Sequence, residues 1–387
     1  MRVVIAPDSF KGSLTSVEVA TALASGWLAA RPDDEVLLAP LADGGEGTLV
    51  AIEAAGGWDW RETNVAGPDS APVCAKWLIS PDGRSAVIEM AAASGLSLIA
   101  PAQRQTTMFS TIGTGELIRE AIDAGVRDVT LGIGGSATTD GASGVLTVLG
   151  AVLRDGDGEQ IGQPPAPPMP RDLGSTATID LAGLDPRLAE VDLRIACDVT
   201  NPLLGPNGAA AVYGPQKGAT PADVELLDVV LAAFADALDA ATGRDERQTP
   251  GAGAAGGTGF GLLSLRDRFR SLDLVPGVEV VMRAADLEGK LAQADLVITG
   301  EGRIDAQTAY GKTALGVARA AKAAGVPCIA VGGGVTPEGI EGLAGLAIVV
   351  PAAEGPASLE EAMGAGDAPL VRLGERLARL VSIGSGT

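Results

Sequence analysis

The chain has 387 residues, with 28 basic against 49 acidic side chains and a formal net charge of −21. A field of that sign repels nucleic acids and anionic membrane surfaces, so we expect neither as a partner. The chain contains no histidine, which excludes a histidine-ligated metal and leaves Asp, Glu, Lys or Tyr for acid–base chemistry. Its three cysteines are widely spaced, so we expect reduced thiols in a cytoplasmic protein.

The first part of the chain alternates between strand and helix patterns. Val3–Ala6 predicts a buried strand, and Thr15 and Glu18 form a capping box at the start of an amphipathic helix. A strand over Glu35–Pro40 and a helix over Thr48–Ala55 follow. The chain enters its first strand without a basic and then apolar leader, so we expect no signal peptide. No apolar stretch has the length of a membrane span.

The middle of the chain has a different pattern. Its predicted strands are Arg61–Val65, Ala75–Ile79, Ala86–Glu89, Asp128–Gly132, Ala177–Leu181 and Leu193–Cys197, and its predicted helices are Gly115–Ala124 and Ala222–Ala241. Turns between the first three strands favour antiparallel pairing. Residues 154–176 are typical of an irregular surface loop, and Gly251–Gly261 of a flexible lid, hinge or linker.

The strand–helix alternation returns after about residue 275. The predicted strands are Leu296–Thr299, Cys328–Val331 and Ala347–Val350, and the predicted helices are Thr313–Ala324 and Ala368–Leu380. Because the two ends share one style and the middle another, we predict a discontinuous α/β domain over residues 1–75 and 280–387. An inserted α/β domain would occupy residues 76–279, with the ligand in a cleft between the two domains.

Three glycine-rich loops carry acidic residues: Ala42–Thr48, Ile133–Gly141 and Thr299–Asp305. Each is predicted to follow a strand and to precede a helix, which is where an open α/β sheet presents loops to a ligand. Glycine lets backbone N–H groups approach an anion, and a neighbouring carboxylate can hold Mg²⁺ or accept a proton. Loops of this kind in a chain without histidine point towards phosphoryl transfer.

Four charged residues in or near these loops are candidates for the site, and three of them also have a structural or surface alternative. Lys11 lies just beyond the first strand and can neutralise a phosphate, or it can be a solvated surface lysine. Asp43 can hold a metal ion or cap a helix. Asp198 directly follows a buried strand, where it is placed as a general base, a metal ligand or part of an Asx-turn. Arg303 is the candidate fork for a carboxylate.

Two familiar nucleotide-binding signatures are incomplete. Gly311-Lys312-Thr313 ends like a P-loop, but Ala306 occupies the position at which that motif requires glycine. Gly132-x-Gly134-x-x-Ala137 fits the loose dinucleotide fingerprint, yet hydroxyl side chains follow where that fingerprint has smooth helix packing. Neither signature therefore identifies the nucleotide by itself.

Taken together, five segments resemble the bacterial glycerate kinase family, type I. They are Ile5–Lys11, Ala42–Thr48, Gly134–Gly141, Cys197–Pro202 and Thr299–Asp305, in the family's order. The resemblance runs from residue 1 to beyond Gly332. It implies two α/β domains, a discontinuous Rossmann-like parallel-sheet domain and an inserted mixed α/β domain, with the active site between them.

The resemblance also implies a kinase that uses ATP and Mg²⁺ to phosphorylate D-glycerate, in this type usually to 2-phosphoglycerate. We assign Lys11 and Asp198 as catalytic residues, the first neutralising the transferred group and the second accepting the proton of the substrate hydroxyl. The predicted substrate-binding residues are Asp8, Ser9, Arg303 and Asp305. The predicted nucleotide-binding residues are Gly134, Gly135, Ser136, Thr138 and Thr139, and the predicted Mg²⁺ ligands are Asp43 and Asp140.

The residues leave other functions open. A kinase for a different small hydroxy acid or polyol would carry the same loops, because the shape of the pocket cannot be read from the sequence. A small-molecule-binding regulator without catalysis is an alternative from another class. We expect small molecules as partners, and a homodimer is left open.

Overall fold

The computed structural model describes residues 1–42, 47–162, 166–306, 308, 313–355 and 358–385. The chain forms two compact units. The first unit contains both ends of the chain, up to Gly57 and from Pro276 onward, and the second contains Trp58–Val275.

The amino-terminal part of the first unit follows the predicted strand–helix alternation. Its elements are β1 (Arg2–Pro7), α1 (Ser16–Ala30), β2 (Glu35–Leu38) and α2 (Thr48–Ala54). The predicted capping box is present, because the Thr15 hydroxyl accepts a hydrogen bond from the Glu18 amide while the Glu18 carboxylate accepts one from the Thr15 amide.

The second unit contains the middle of the chain. Its strands are β3 (Asp59–Ala66), β4 (Pro72–Ile79), β5 (Ser85–Glu89), β6 (Asp128–Gly132), β7 (Val152–Arg154), β8 (Gln160–Ile161), β9 (Thr178–Asp180), β10 (Asp192–Ala196) and β11 (Ser271–Val275). Its helices are α3 (Ala91–Ser94), α4 (Ile112–Asp123), α5 (Ser143–Val148), α6 (Ala209–Tyr213), α7 (Pro221–Thr242) and α8 (Ala254–Ser264).

The carboxy-terminal part completes the first unit. Its strands are β12 (Leu296–Ile304), β13 (Cys328–Val335) and β14 (Ile348–Pro351). Its helices are α9 (Gly277–Ala284), α10 (Leu287–Leu291), α11 (Thr313–Ala324), α12 (Pro337–Gly342), α13 (Leu359–Gly364) and α14 (Ala368–Ser385). Among the described residues, no helix combines the length and the apolar content needed to span a bilayer.

The first unit is built on a parallel sheet with the strand order β14-β13-β12-β1-β2. One face packs against α1 and α14, which approach so closely that a Cβ at Gly26 would lie 1.8 Å from the carbonyl oxygen of Val371. On the other face, Val4 and Val297 are also completely buried. The strands are therefore covered on both sides, as expected for a parallel sheet.

The second unit has a mixed sheet with the order β11-β10-β6-β5-β4-β3. The strands β11, β10, β6 and β5 are parallel, while β4 runs antiparallel to both β5 and β3. These two sheets confirm the predicted α/β fold class. Residues 58–75, which the sequence prediction grouped with the chain ends, lie in β3 and the start of β4, which pair along the whole length of β3.

Two segments differ from the sequence prediction. The region around residues 154–176 is not wholly irregular, because β8 pairs with β7 in a small antiparallel sheet of order β8-β7-β9. Gly251–Gly261 is not a flexible lid or linker either. It forms a turn and most of α8, and all of its residues except half-buried Ala255 are buried. Its glycines allow close packing against neighbouring segments. The composition alone had suggested a flexible segment.

Candidate active site

The strand order of the first unit creates a topological switch point between β1 and β12. From β1 the chain crosses to β2 on one side, whereas from β12 it crosses to β13 and β14 on the other. The carboxyl end of β1 pairs with β12, with Pro7 opposite Gly300, and β12 continues beyond this point to Ile304. Open α/β sheets bind ligands outside such ends, so the residues that follow β1 and β12 are the first candidates for a site.

Asp8 is held firmly at the end of β1. Its side chain accepts a hydrogen bond from the Ser9 amide at 2.6 Å and another from the Thr313 hydroxyl at 2.6 Å. Its amide donates to the carbonyl oxygen of Gly300 at 2.8 Å. Asp8 is 7% exposed, so the start of α11 and the end of β12 together fix a nearly buried carboxylate at the switch point.

Glu301 is a second buried carboxylate at this edge, and the sequence analysis did not assign it a role. It is 6% exposed and accepts a hydrogen bond from the Thr308 hydroxyl at 2.5 Å. The signal was available, because Glu301 lies inside the third acidic glycine-rich segment. The sequence analysis assigned substrate binding to Arg303 and Asp305, which follow Glu301, and not to Glu301 itself.

The other predicted residues of the first unit are more accessible. Lys11 is exposed and Ser9 is half-buried. The Arg303 side chain is 71% exposed, and its Nε lies 3.1 Å from Oδ2 of Asp305, whose side chain is 20% exposed. A Cβ at Gly302 would lie 3.3 Å from the Lys11 amide nitrogen, so the segment after β1 runs directly beside β12. The fold thus places the predicted catalytic and substrate-binding residues of this unit at one edge of its sheet.

The predicted loop after Thr299 is in fact strand. β12 continues to Ile304 because Arg303 pairs with Gly334 and Ile304 with Val335 of β13. Glycine permits this extension, since a Cβ at Gly300 would lie 2.6 Å from the carbonyl oxygen of Val331. Arg303 is consequently fixed at a strand position and is not part of a loop.

The loop after β6 in the second unit exposes glycine backbone. Gly134 and Gly135 are exposed, and Gly135 has a φ of +70°, which favours glycine. The segment after α3 supports the loop on one side, because the Leu96 amide donates to the Gly135 carbonyl at 2.8 Å and the Ala137 amide to the Ser94 carbonyl at 2.9 Å. Such a supported turn of exposed N–H groups fits an anion.

The two predicted threonines of this loop are inside the protein. Thr138 and Thr139 are 0% exposed, and among the described residues their hydroxyl oxygens have no hydrogen-bond partner. α8 lies directly against them, since a Cβ at Gly256 would be 2.0 Å from the carbonyl oxygen of Thr138. The spacing of polar residues in the motif gave no indication of this burial.

Asp140 is also completely buried, at 0% exposure. Its Oδ2 accepts hydrogen bonds from the amide and hydroxyl of Thr111, both at 2.8 Å, and longer ones from Ser143 and Gly144. Burial raises the pKa of Asp140, and the hydrogen bonds from Thr111, Gly144 and Ala142 oppose that shift. A Mg²⁺ ion bound to Asp140 would have to displace these donors, which connect the loop to the starts of α4 and α5.

Lys217 is a residue that the sequence analysis missed. It ends the short 3₁₀ turn Pro215–Lys217 and is 2% exposed. Its Nζ donates hydrogen bonds to the Ser136 hydroxyl at 2.9 Å and to the Thr138 carbonyl at 2.6 Å. Burial lowers the pKa of Lys217 to about 7, and the nearby charge of Asp140 opposes that shift. The contact could not be predicted from a motif or a periodicity, because Lys217 and Ser136 lie 81 residues apart in the sequence.

Asp198 lies exposed just beyond β10. Because Ala196 of β10 pairs with Gly132 of β6, Asp198 and the glycine loop follow the same edge of the mixed sheet. Cys197, between β10 and Asp198, has a pKa raised by burial and by the charge of Asp198. The structure therefore gives Asp198 a solvent-facing position beside the glycine loop.

Asp43, the other predicted Mg²⁺ ligand, lies outside the described residues, as does Lys312. Within the described part of the chain, no three Cys, Asp or Glu side chains are grouped closely enough to hold a metal ion. The oxygen donors at the strand ends are carboxylates and backbone groups, which is the donor chemistry that Mg²⁺ prefers.

The chain is similar to known proteins over nearly its whole length. The model of the glycerate kinase family matches residues 3–382. The glycerate kinase of Bacillus subtilis (strain 168) is 48% identical over 336 residues, which are 87% of this chain and 86% of the relative. The glycerate 2-kinase of Escherichia coli (strain K12) is 42% identical over 385 residues, which are 99% of each protein.

A solved structure extends the similarity to the fold. A crystal structure assigned as glycerate kinase 2 from Salmonella typhimurium LT2 matches 100% of both chains, with a TM-score of 0.86 and 44% sequence identity. At this identity and coverage, both the sequence and the arrangement of strands and helices are shared. The chain therefore belongs to the glycerate kinase family of enzymes.

Proposed function

We propose that the protein transfers the γ-phosphoryl group of ATP to the 2-hydroxyl of D-glycerate and requires Mg²⁺. The observation that carries this proposal is the edge of the first sheet, where exposed Lys11 and Arg303 lie beside buried Asp8 and Glu301. In a chain with a net charge of −21, two cations at a topological switch point favour a small anionic substrate.

The edge of the first sheet would bind the acceptor. The guanidinium group of Arg303 would bind the glycerate carboxylate through its two terminal nitrogens. Its Nε contacts Asp305, which holds the group in place. Ser9 and Asp8 offer a hydroxyl and a carboxylate to the substrate hydroxyls. Lys11 would neutralise charge on the transferred phosphoryl group as a point charge.

The glycine loop of the second unit would bind the nucleotide phosphates. The N–H groups of Gly134, Gly135 and Ser136 are the binding groups, since phosphoryl transfer depends on positioning and electrostatic stabilisation. We now place Thr138 and Thr139 among the internal supports of this loop because they are completely buried.

Magnesium would be held by carboxylates at the strand ends. When bound, the ion neutralises charge on the phosphate oxygens. Asp43 is retained as its proposed ligand from the sequence. Asp140 is reassigned as an internal anchor, because its oxygens already accept hydrogen bonds from Thr111, Ser143 and Gly144.

Asp198 would accept the proton of the attacking hydroxyl. It is exposed at the end of β10, and a carboxylate is the expected base in a chain without histidine. The Asp198→Asn variant keeps the size of the side chain and removes the base, so kcat should fall roughly 10²- to 10⁴-fold. An unchanged kcat in a variant with native circular dichroism would remove Asp198 from this role.

A coupled assay tests substrate and position together. Purified protein is mixed with ATP, Mg²⁺ and D-glycerate, and the product is passed to enolase, which accepts 2-phosphoglycerate and not the 3-isomer. The proposal predicts an enolase signal with D-glycerate that is absent with L-glycerate. The Mg²⁺ requirement is read from ATP consumption before enolase is added, because enolase itself uses Mg²⁺. ATP consumption without an enolase signal would contradict phosphorylation at the 2-hydroxyl, and the lack of any ATP consumption would contradict the kinase assignment.

The cellular setting is part of the same proposal. We place the enzyme in the cytoplasm with small molecules as its partners, because its three cysteines are free and its net charge is −21. Fractionation of the source cells, with the protein followed by antibody, tests this placement. Recovery in the membrane or extracellular fraction would contradict it.

A further inference from the structure

Lys217 occupies a position that is costly for a cation. It is 2% exposed, and an ammonium group is buried only where specific partners compensate for the loss of water. Two of its three N–H donors act on one loop, through the Ser136 hydroxyl and the Thr138 carbonyl. A buried apolar side chain of the same length would fill the space without this cost, so the contact itself needs an explanation.

The backbone that carries Lys217 is closely fitted on both sides. Gly214, where the turn begins, has no room for a Cβ, which would lie 2.4 Å from the Ala210 carbonyl oxygen. Gly218, where it ends, has a φ of +99°, and a Cβ there would lie 2.8 Å from the Cβ of Arg104. The backbone that carries Lys217 is therefore held in place by close contacts on both sides of the turn. The hydrogen bonds of its Nζ connect this turn to the loop.

The residues that Lys217 holds directly follow the residues of the loop that face solvent. Gly134 and Gly135 are exposed, whereas Ser136 is 7% exposed and Thr138 is completely buried. Lys217 holds the buried side of the loop, at Ser136 and Thr138. This contact restricts the orientation of the backbone N–H groups of Gly134 and Gly135. In addition, the Nζ of Lys217 lies within hydrogen-bond distance of the loop whose backbone N–H groups we assign to the phosphates.

We propose that Lys217 is a positioning residue for nucleotide binding, holding Ser136 and Thr138 so that the N–H groups of Gly134 and Gly135 are preorganised for the phosphates of ATP. This inference rests on the proposed function, in which that loop binds ATP. Lys217 acts through the loop and does not contact the nucleotide. Preorganised donors contribute most when the surrounding contacts fix them within a fraction of an ångström.

The test compares two lysines whose Nζ atoms each donate two hydrogen bonds within the protein. Lys217→Met removes the ammonium group and keeps the length of the side chain. Lys290→Met is the matched control, because Lys290 is half-buried and its Nζ donates to the backbone carbonyls of Ala55 and Ala285. Neither of these hydrogen-bond partners is assigned to substrate or nucleotide.

The expected result is a selective loss of nucleotide affinity. Lys217→Met should raise the Kd for ATP, measured by calorimetry, and the KM for ATP about tenfold, with kcat and the KM for D-glycerate changed less than about twofold. Lys290→Met should lower Tm and leave both KM values unchanged. If Lys217→Met lowers Tm to a similar extent but leaves the Kd for ATP unchanged, the lysine is merely structural and the proposal fails.

A second variant keeps the proposal testable if Lys217→Met does not fold. Ser136→Ala removes one acceptor of Lys217 but retains the backbone N–H of the loop, and should raise the Kd for ATP about threefold. An unchanged Kd in folded Ser136→Ala would overturn the proposal. Calorimetry needs no acceptor, so it tests Lys217 even if the enolase assay shows that the acceptor is another hydroxy acid.

Discussion

At the carboxyl ends of β1 and β12 the accessible groups are charged side chains, whereas in the loop after β6 they are glycine backbone. Lys11 and Arg303 are exposed and Asp8 is anchored beneath them. In the β6 loop the arrangement is reversed, because Ser136 and Asp140 are buried and only the glycines face solvent.

This difference separates two ways of building a ligand site. At the sheet edge, the fold fixes the backbone and the side chains supply the chemistry. In the β6 loop the backbone supplies the chemistry, and the side chains hold its shape. Substitutions should therefore act on turnover at the first site and on stability or loop geometry at the second.

Among substitutions in the two regions compared, Lys11→Ala should have the largest effect on catalysis. If the lysine neutralises the transferred group, kcat and kcat/KM should both fall roughly 10²- to 10³-fold. Because Lys11 is exposed, the free energy of unfolding should change by less than about 0.5 kcal/mol. Steady-state kinetics and urea unfolding measure the two quantities.

The matched control for Lys11 is Lys322→Ala, an exposed lysine in the last turn of α11. It should leave kcat and stability unchanged. A Lys11 variant that loses stability while it keeps its kcat would show that the sheet edge resembles the β6 loop, and would break the comparison.

Gly256→Ala should have the largest effect on stability. The Cβ of alanine would lie 2.0 Å from the Thr138 carbonyl oxygen, and the φ of Gly256 is +68°. Both the steric clash and the left-handed backbone conformation should therefore destabilise the variant. We expect a loss of about 3 kcal/mol in the free energy of unfolding. The control is Gly243→Ala, with a φ of +73° but no atom within 4 Å, for which a loss of only about 1 kcal/mol is expected. Equal losses would show that the β6 loop tolerates movement of α8.

Asp140→Asn distinguishes an internal anchor from a metal ligand. An amide nitrogen in place of one carboxylate oxygen would face N–H donors, so we expect the free energy of unfolding to fall by about 2 kcal/mol. The Mg²⁺ concentration for half-maximal activity should not change. A tenfold rise in that concentration without a loss of stability would restore Asp140 as a Mg²⁺ ligand.

The smallest expected effect concerns pH and Asp34, a buried carboxylate of the first unit. Burial alone would raise its pKa, but hydrogen bonds from Arg31, the terminal amine and Trp27 bring it well below the ordinary value of 3.8. Because the folded pKa is lowered, its stabilisation is present above pH 3.8 and is lost as the pH falls towards the folded pKa. Asp140, with a raised pKa, contributes in the opposite sense.

Asp34→Asn should therefore lower stability at neutral pH by about 1 kcal/mol and should flatten its dependence on pH below about 4. Unfolding can be followed at the indole N–H of Trp27, which donates to Asp34 at 2.9 Å. An acid transition of the first unit that is identical with and without Asp34 would contradict this account.

Local patterns predicted the elements of the fold. The buried strand at Val3–Ala6, the capping box at Thr15 and the helix over Thr313–Ala324 were all found, because apolar periodicity and caps are properties of neighbouring residues. Predictions failed where packing between distant segments decides the backbone. Gly251–Gly261 was read as flexible, although its glycines allow contact with the β6 loop.

The same distinction applies to the candidate site. The strand ends that carry Asp8 and Asp198 could be predicted, since residues after buried strands are found at one edge of a parallel sheet. The burial of Thr139 and the contact of Lys217 with Ser136 could not, because they depend on how α8 and the turn Pro215–Lys217 meet the loop. The sequence assigned these polar residues to the ligand, and it could not indicate that they are buried.

The close fit between α8 and the β6 loop also has a consequence for the order of events during synthesis. The Gly141 amide donates to the carbonyl oxygen of Gly256 at 3.0 Å, and Gly261 leaves no room for a Cβ beside the Gly141 carbonyl. Partners so far apart along the chain meet only after a large loop has closed, which is slow. The β6 loop should therefore reach its final shape only when α8 has left the ribosome, long after β6 itself was made.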